Sequence, residues 1–440
     1  MKKTRNRSKL LVKSCSVFLT AVSLLFLLFR SWFLSLRSIT ENDPYAPADA
    51  NAVAVSSFNN SKRDSPSRKE ELCLTPTCFQ QHGQRLAHRF APHPLASWCT
   101  SLSLTAPSHQ WQGLLLVKVP KAASSTMAGI VLRLSNHTNC AVQWEHREGR
   151  FYANRSQAHS FLLTSVRHPV ARALSSVWFF ILAPNHIEPT DKNIIASLHT
   201  KRGGRTKGKG GYQYNYLSLT EVAPHAVWHP KAPTQLQLAP SLFEQTIQSL
   251  LQSYNFIVVT ERMEESLTAF SLLTGVSLED IVWAADSKKT TTTTASQHND
   301  YVLVRYGSKA GTCVQQRQWS SRNNLSQAVR DHFATPEWLL INYADYLLYA
   351  AANASLDRTI ETLGRERFDA HLARFRHLRQ QVMEQCGDRV TGTGCTTEGQ
   401  PILPLEACYL RDFGCGYQCV DKVVLQLSTT KGTAWMETNE

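Results

Sequence analysis

Two stretches place a cation, a proline and small hydroxyl residues in an order that suits a phosphate or sulfate group. The first reads Val119-Pro120-Lys121-Ala122-Ala123-Ser124-Ser125-Thr126, just after the apolar run Leu114-Leu115-Leu116-Val117 and Lys118. If a helix starts in this turn, its first backbone N–H groups and positive end converge beside the Lys121 ammonium and three hydroxyls. The second reads Arg167-His168-Pro169-Val170-Ala171-Arg172-Ala173-Leu174-Ser175, after Phe161-Leu162-Leu163-Thr164-Ser165-Val166. An arginine fork matches a pair of phosphate oxygens, and a serine adds a hydroxyl donor. Ser175 stands about two helical turns beyond Arg167, so a helix can face it back toward the strand's end. Neither stretch contains the Gly-x-x-x-x-Gly-Lys-Ser/Thr pattern of a Walker A loop.

Each stretch alone also fits a buried strand, a capped helix and a surface cation. Their repetition between residues 114 and 175 is far more specific than either copy. A proton acceptor completes the chemistry. Neutral imidazole is the natural base for a sugar hydroxyl near neutral pH. Most of the sixteen histidines are expected to serve structure or surface. His146, in the polar stretch Gln143-Trp144-Glu145-His146-Arg147-Glu148, is the candidate base, and His159 is the alternative.

The elements that must position these residues follow from pattern. Leu114–Val117 and Phe161–Val166 read as buried strands, each followed by a helix, over 126–135 and from Pro169 onward. Tyr254–Thr260 is a third buried strand, and a helix from Thr260 to Thr274 ends at Gly275 as a C-cap. Leu242–Leu251, 331–364 and 365–385 have helical spacing. Tyr212-Gln213-Tyr214-Asn215-Tyr216-Leu217 has an aromatic at every second position, which predicts a strand or core segment more than a sugar-stacking platform. Lys201–Gly211 sets five cations among glycines, a solvated loop or a clamp for an anionic chain. The expected fold class is α/β, a mainly parallel sheet with helices on both faces.

The chain has 440 residues and a formal charge of +13. Such a charge fits an acidic glycan or an anionic nucleotide as well as nucleic acid. Part of it precedes an apolar segment, which gives a cytosolic basic tail over 1–13 and a transmembrane signal-anchor over 14–36. No small-x-small cleavage site follows. Residues 37–95 are rich in polar residues, proline and charge and read as a stem. A catalytic domain is expected over 96–385 and a Cys-rich tail over 386–440. Sequons at Asn59, Asn136, Asn154, Asn324 and Asn353 follow the anchor, as do ten of the eleven cysteines. Both fit a lumenal, disulfide-bonded glycoprotein. A small Cys73–Cys78 loop is expected in the stem. The Cys415-x-x-x-Cys419 spacing lacks a second ligand pair, so no metal is expected.

The two strand–cation–Pro–helix units resemble the nucleotide-binding motifs of the Golgi carbohydrate sulfotransferases, which use 3′-phosphoadenylyl sulfate (PAPS). The resemblance covers roughly residues 110–350 and is closest to the heparan and uronyl 2-O-sulfotransferase branch, where Val-Pro-Lys and Arg-His-Pro pieces also occur. It implies a P-loop-like sulfotransferase domain on a single-pass type II Golgi membrane protein. It further implies that Lys121 contacts the transferring sulfuryl group and its bridging oxygen. Ala122, Ala123, Ser124, Ser125 and Thr126 would cradle the 5′-phosphate, and Arg167 and Ser175 would bind the 3′-phosphate. His146 stands ahead of the second motif, like the branch's catalytic histidine. The implied partner is a glycan acceptor, possibly anionic, with no metal and no nucleic acid. Two rivals remain: a non-catalytic glycan-binding membrane protein, and a nucleotide-dependent phosphotransferase with Glu261 as its tempting Mg²⁺ ligand.

Overall fold

The computed structural model describes residues 74–99, 110–199, 213–219, 240–284, 301–304, 312–315, 325–390, 395–396, 398–402 and 413–437. The expected basic tail, the anchor over 14–36, the glycine-rich cationic loop and the sequons at Asn59 and Asn324 lie outside these residues. Among the described residues, no helix is long and apolar enough to cross a membrane.

The centre is a four-stranded, all-parallel sheet in the order β2-β1-β3-β4. Its strands are β1 (Gly113–Val117), β2 (Val142–Gln143), β3 (Ser160–Val166) and β4 (Phe256–Val259). Every residue of β1, β3 and β4 is buried, so both faces of the sheet are covered. This is why these strands read as unbroken apolar runs rather than alternating ones. Val117 pairs with Thr164, and Val166 with Val259. The molecule is therefore of the α/β class.

The helices used below are α1 (Pro76–Leu86), α2 (Ser124–Thr138), α3 (Pro169–Val177), α4 (Asp191–Leu198), α5 (Pro240–Ser253), α6 (Met263–Thr274), α7 (Gln327–Ala334), α8 (Tyr343–Leu363), α9 (Arg365–Val390) and α10 (Tyr417–Glu437). α2 packs on β1, and α6 and α8 pack on β4. α6 ends at Gly275, whose φ of 74° is the left-handed C-cap expected there. An antiparallel pair, β5 (Tyr301–Val304) and β6 (Thr312–Gln315), stands apart from the main sheet.

Two expectations change. Residues 74–95, placed in the stem on composition, fold with the domain: Phe79, Leu86 and Phe90 are buried in its core. α1 docks on α8 through a close approach, since a Cβ on Gly83 would come within 2.6 Å of the Ala350 carbonyl carbon. Phe79 of α1 also packs on Tyr343 and Tyr346 of α8. Second, residues 213–217 form a short helix, not a strand. The buried Asp345 carboxylate accepts from the backbone N–H groups of Gln213 (3.0 Å) and Tyr214 (2.9 Å), which caps a helix start from another element. Tyr214 and Tyr216 are core residues, as the strand-or-core expectation also allowed.

Disulfides join Cys99 to Cys140, Cys313 to Cys395, and Cys386 to Cys419. Cys78 and Cys415 are also disulfide-bonded.

Candidate active site

The chain leaves β1 through α2 to β2 on one side, then crosses to β3 on β1's other side and continues outward to β4. The connections after β1 and β3 thus run in opposite directions. Open α/β sheets form their ligand crevice at this switch point, outside the carboxyl ends of the strands. The two motifs identified in the sequence occupy those two ends.

The first motif is a turn in the left-handed region at two non-glycine residues, Lys121 (φ 64°) and Ala123 (φ 58°). Each such residue costs on the order of 1–2 kcal/mol and persists only where its surroundings hold it. Here they do. The Arg167 guanidinium donates from Nη1 to the Lys121 carbonyl at 3.2 Å. Arg172 donates from Nε to the Pro120 carbonyl at 3.1 Å. The buried Ser165 hydroxyl donates to the Ala122 carbonyl. All three donors come from β3 or the residues after it, so the second motif shapes the first. Ala123 is the N-cap of α2 and offers no side-chain cap to Ser124, Ser125 and Thr126, the helix's first three residues. A helix start without a side-chain cap, beside a lysine, is suited to an anion. The Lys121 ammonium rests 3.7 Å from the centroid of Phe179, a cation–π contact from the π-helical turn Trp178–Leu182.

Arg167 is a largely buried charge just past the carboxyl end of β3. Its Nε is buried without a hydrogen-bond partner. The nearest carboxylate oxygen, on Glu261, stands 4.0 Å away. Burial pulls its pKa down and Glu261 partly restores it, yet a guanidinium stays charged. Such a cation gains from an anionic ligand. Its backbone is pinned by Gln213, whose side chain accepts from Arg167 N and donates to Arg167 O, both at 2.7 Å. Glu261 accepts the His168 backbone N–H at 3.1 Å. Ser175 lies half-buried on α3, the helix that follows Arg167.

His146 is exposed and belongs to the segment after β2. Its Nδ1 lies 3.0 Å from the Lys118 carbonyl, at the carboxyl end of β1. A carbonyl can only accept, so Nδ1 carries the hydrogen and Nε2 carries the basic lone pair. His159 precedes β3, and its carbonyl accepts the Gly113 N–H at 2.9 Å. It sits at the amino end of the sheet. β3 rises about 3.3 Å per residue over its length, so His159 is separated from the motif loops by the whole strand.

Lys118, Gln213, Arg172 and Asp345 were not assigned roles at the site from sequence. Lys118 is buried, with its ammonium 5.5 Å from the Trp144 ring centroid. Its place in the apolar run was the available signal: a cation there needs a reason. Arg172 lies within the second motif and Asp345 approaches it at 4.0 Å, a pairing no local pattern shows. A cavity lined by Leu198, His199, His332 and Trp338 shares no residue with the motif loops.

Fold and crevice together define an α/β protein with a basic, phosphate-suited turn at a parallel-sheet switch point. Comparison with family models, curated proteins and solved structures finds no match to this chain.

Proposed function

We propose that the protein is a carbohydrate O-sulfotransferase that moves a sulfuryl group from PAPS to a glycan hydroxyl in the Golgi lumen. The observation that carries this reading is the coupling of the two motifs at the switch point, where Arg167 donates to the Lys121 carbonyl while its Nε has no partner. The resemblance assigns those stretches to the 5′-phosphosulfate and the 3′-phosphate, and one molecule holding both phosphates would need them adjacent. In a P-loop-like domain of this kind, the α2 N-terminus and residues 122–126 hold the 5′-phosphate, and Arg167 and Ser175 the 3′-phosphate.

His146 Nε2 takes the proton of the acceptor hydroxyl as its oxygen attacks sulfur. The sulfur–oxygen bond to the 5′-phosphate breaks, and its electron pair leaves with adenosine 3′,5′-bisphosphate. Lys121 neutralises the charge that grows on the bridging oxygen, a preorganised electrostatic effect. Glu261 bears on the phosphotransferase alternative, since its carboxylate is engaged with the His168 N–H and faces Arg167. That engagement favours a scaffold role over a Mg²⁺ ligand.

The test is calorimetric titration of the lumenal chain with adenosine 3′,5′-bisphosphate beside ATP. Tight bisphosphate binding is expected, weakened about 10- to 100-fold in Arg167→Ala by loss of charge-assisted hydrogen bonds. No binding by the folded protein would overturn the reading and bring forward glycan binding without catalysis.

A further inference from the structure

The helix whose N-terminus faces the candidate donor site is gripped from outside by a distant part of the chain. The Tyr417 phenol donates to the Thr126 carbonyl at 3.2 Å, in the first turn of α2. The ring lies in a notch that exists because residue 129 is glycine: a Cβ there would come within 2.0 Å of the Tyr417 hydroxyl oxygen. Just before Tyr417, Gly414 and Gly416 take φ of 75° and 85°, which bends the chain across α2 near the Ser125 carbonyl. Phe413 meets Trp144 edge-on at 5.7 Å, two residues from His146. The grip is anchored behind the site. Cys419 is bonded to Cys386 on α9, and Asp421 pairs with the nearly buried Arg133 of α2.

We infer that Tyr417 is a positioning residue for the donor site, and that the disulfide-tied C-terminal segment is a working part of that site rather than a cap beside it. The left-handed turn at Lys121 and Ala123 is braced from the sheet side by Arg167, Arg172 and Ser165. Those contacts reach the turn but not the first peptide groups of α2, whose later residues pack in the core. Tyr417 adds a contact at the Thr126 carbonyl, so the amides of 124–126 keep one distance from the bound phosphate. The ligand in this inference is the donor of the preceding section and rests on that reading. The mechanical claim does not.

The test pairs Tyr417→Phe, which removes only the hydroxyl, with Gly129→Ala, which evicts the ring. Hydrogen exchange of the amides in residues 127–130, the first in α2 with intrahelical partners, needs no ligand. It is expected to speed up about tenfold in Tyr417→Phe, the effect of one lost hydrogen bond, with the unfolding midpoint nearly unchanged. Gly129→Ala should exceed that, and if it fails to fold the milder variant still decides. Exchange at 127–130 that is unchanged in Tyr417→Phe overturns the inference. If the wild type binds adenosine 3′,5′-bisphosphate, Tyr417→Phe should weaken that binding and raise the donor KM, about fivefold to tenfold, more than it lowers kcat. Unaltered donor affinity alongside faster exchange would likewise overturn the functional role. A wild type that binds no bisphosphate overturns the donor reading alone, and exchange then judges the positioning claim by itself.

Discussion

At the residue scale, the proposed reaction assigns different losses to different residues. On that proposal Lys121 acts on charge that develops at the bridging oxygen, so Lys121→Ala should lower kcat about 10²- to 10³-fold with a smaller change in donor affinity. Single-turnover transfer from labelled PAPS would measure this, and a normal rate would remove Lys121 from the mechanism. The two histidines are distinguished by the sheet's polarity. His146 sits by the carboxyl end of β1 and His159 at the amino end of β3. His146→Ala should cost about 10²- to 10⁴-fold in kcat, whereas His159→Ala should leave it unchanged. Equal losses in both would mean that neither acts as the base.

At the element scale, Asp345 does more than its position in α8 announces. It is buried, caps the helix at 213–217, and approaches Arg172, which in turn supports the Pro120 turn. Burial raises its carboxyl pKa, opposed first by the Arg172 charge and then by the Gln213 and Tyr214 hydrogen bonds. Removing it leaves two backbone donors without their acceptor and takes the opposite charge from beside the Arg172 guanidinium. Asp345→Ala should therefore cost about 3–5 kcal/mol of stability, read as a lower denaturant midpoint at constant slope. A loss under 1 kcal/mol would show that water replaces the carboxylate.

At the scale of the whole molecule, four histidines among the described residues are expected to make stability depend on pH. His88, His93, His332 and His371 all have pKa values below the ordinary 6.5, each mainly through burial. Neighbouring cations assist: Arg89 for His88, Arg155 for His93, and Arg374 for His371. A lowered folded pKa means that the unfolded chain takes up protons first as pH falls. The contribution is complete above 6.5 and is lost as pH falls through the lowered folded values. Melting temperature should accordingly fall from neutral pH toward pH 5. Replacing His93 and His371 with glutamine should flatten that slope, and an unchanged slope would assign the effect to carboxylates instead.

Much of this protein follows from local chemistry. Strands buried on both faces are mostly apolar, so β1, β3 and β4 are visible as runs. A helix that starts after a strand announces itself through Pro169, which fixes φ, and one that ends through Gly275, which alone adopts the left-handed φ at no steric cost. The α/β class and the positions of the candidate phosphate turns were therefore legible. What remained hidden depends on distant partners. Sheet order places the two motifs side by side and sets His146 and His159 at opposite ends. Asp345 turns an alternating aromatic stretch into a helix. Gly83 lets α1 approach α8 closely, and Gly129 admits Tyr417. These are decided by packing between segments far apart in the chain, where a missing side chain or a single carboxylate outweighs the local pattern.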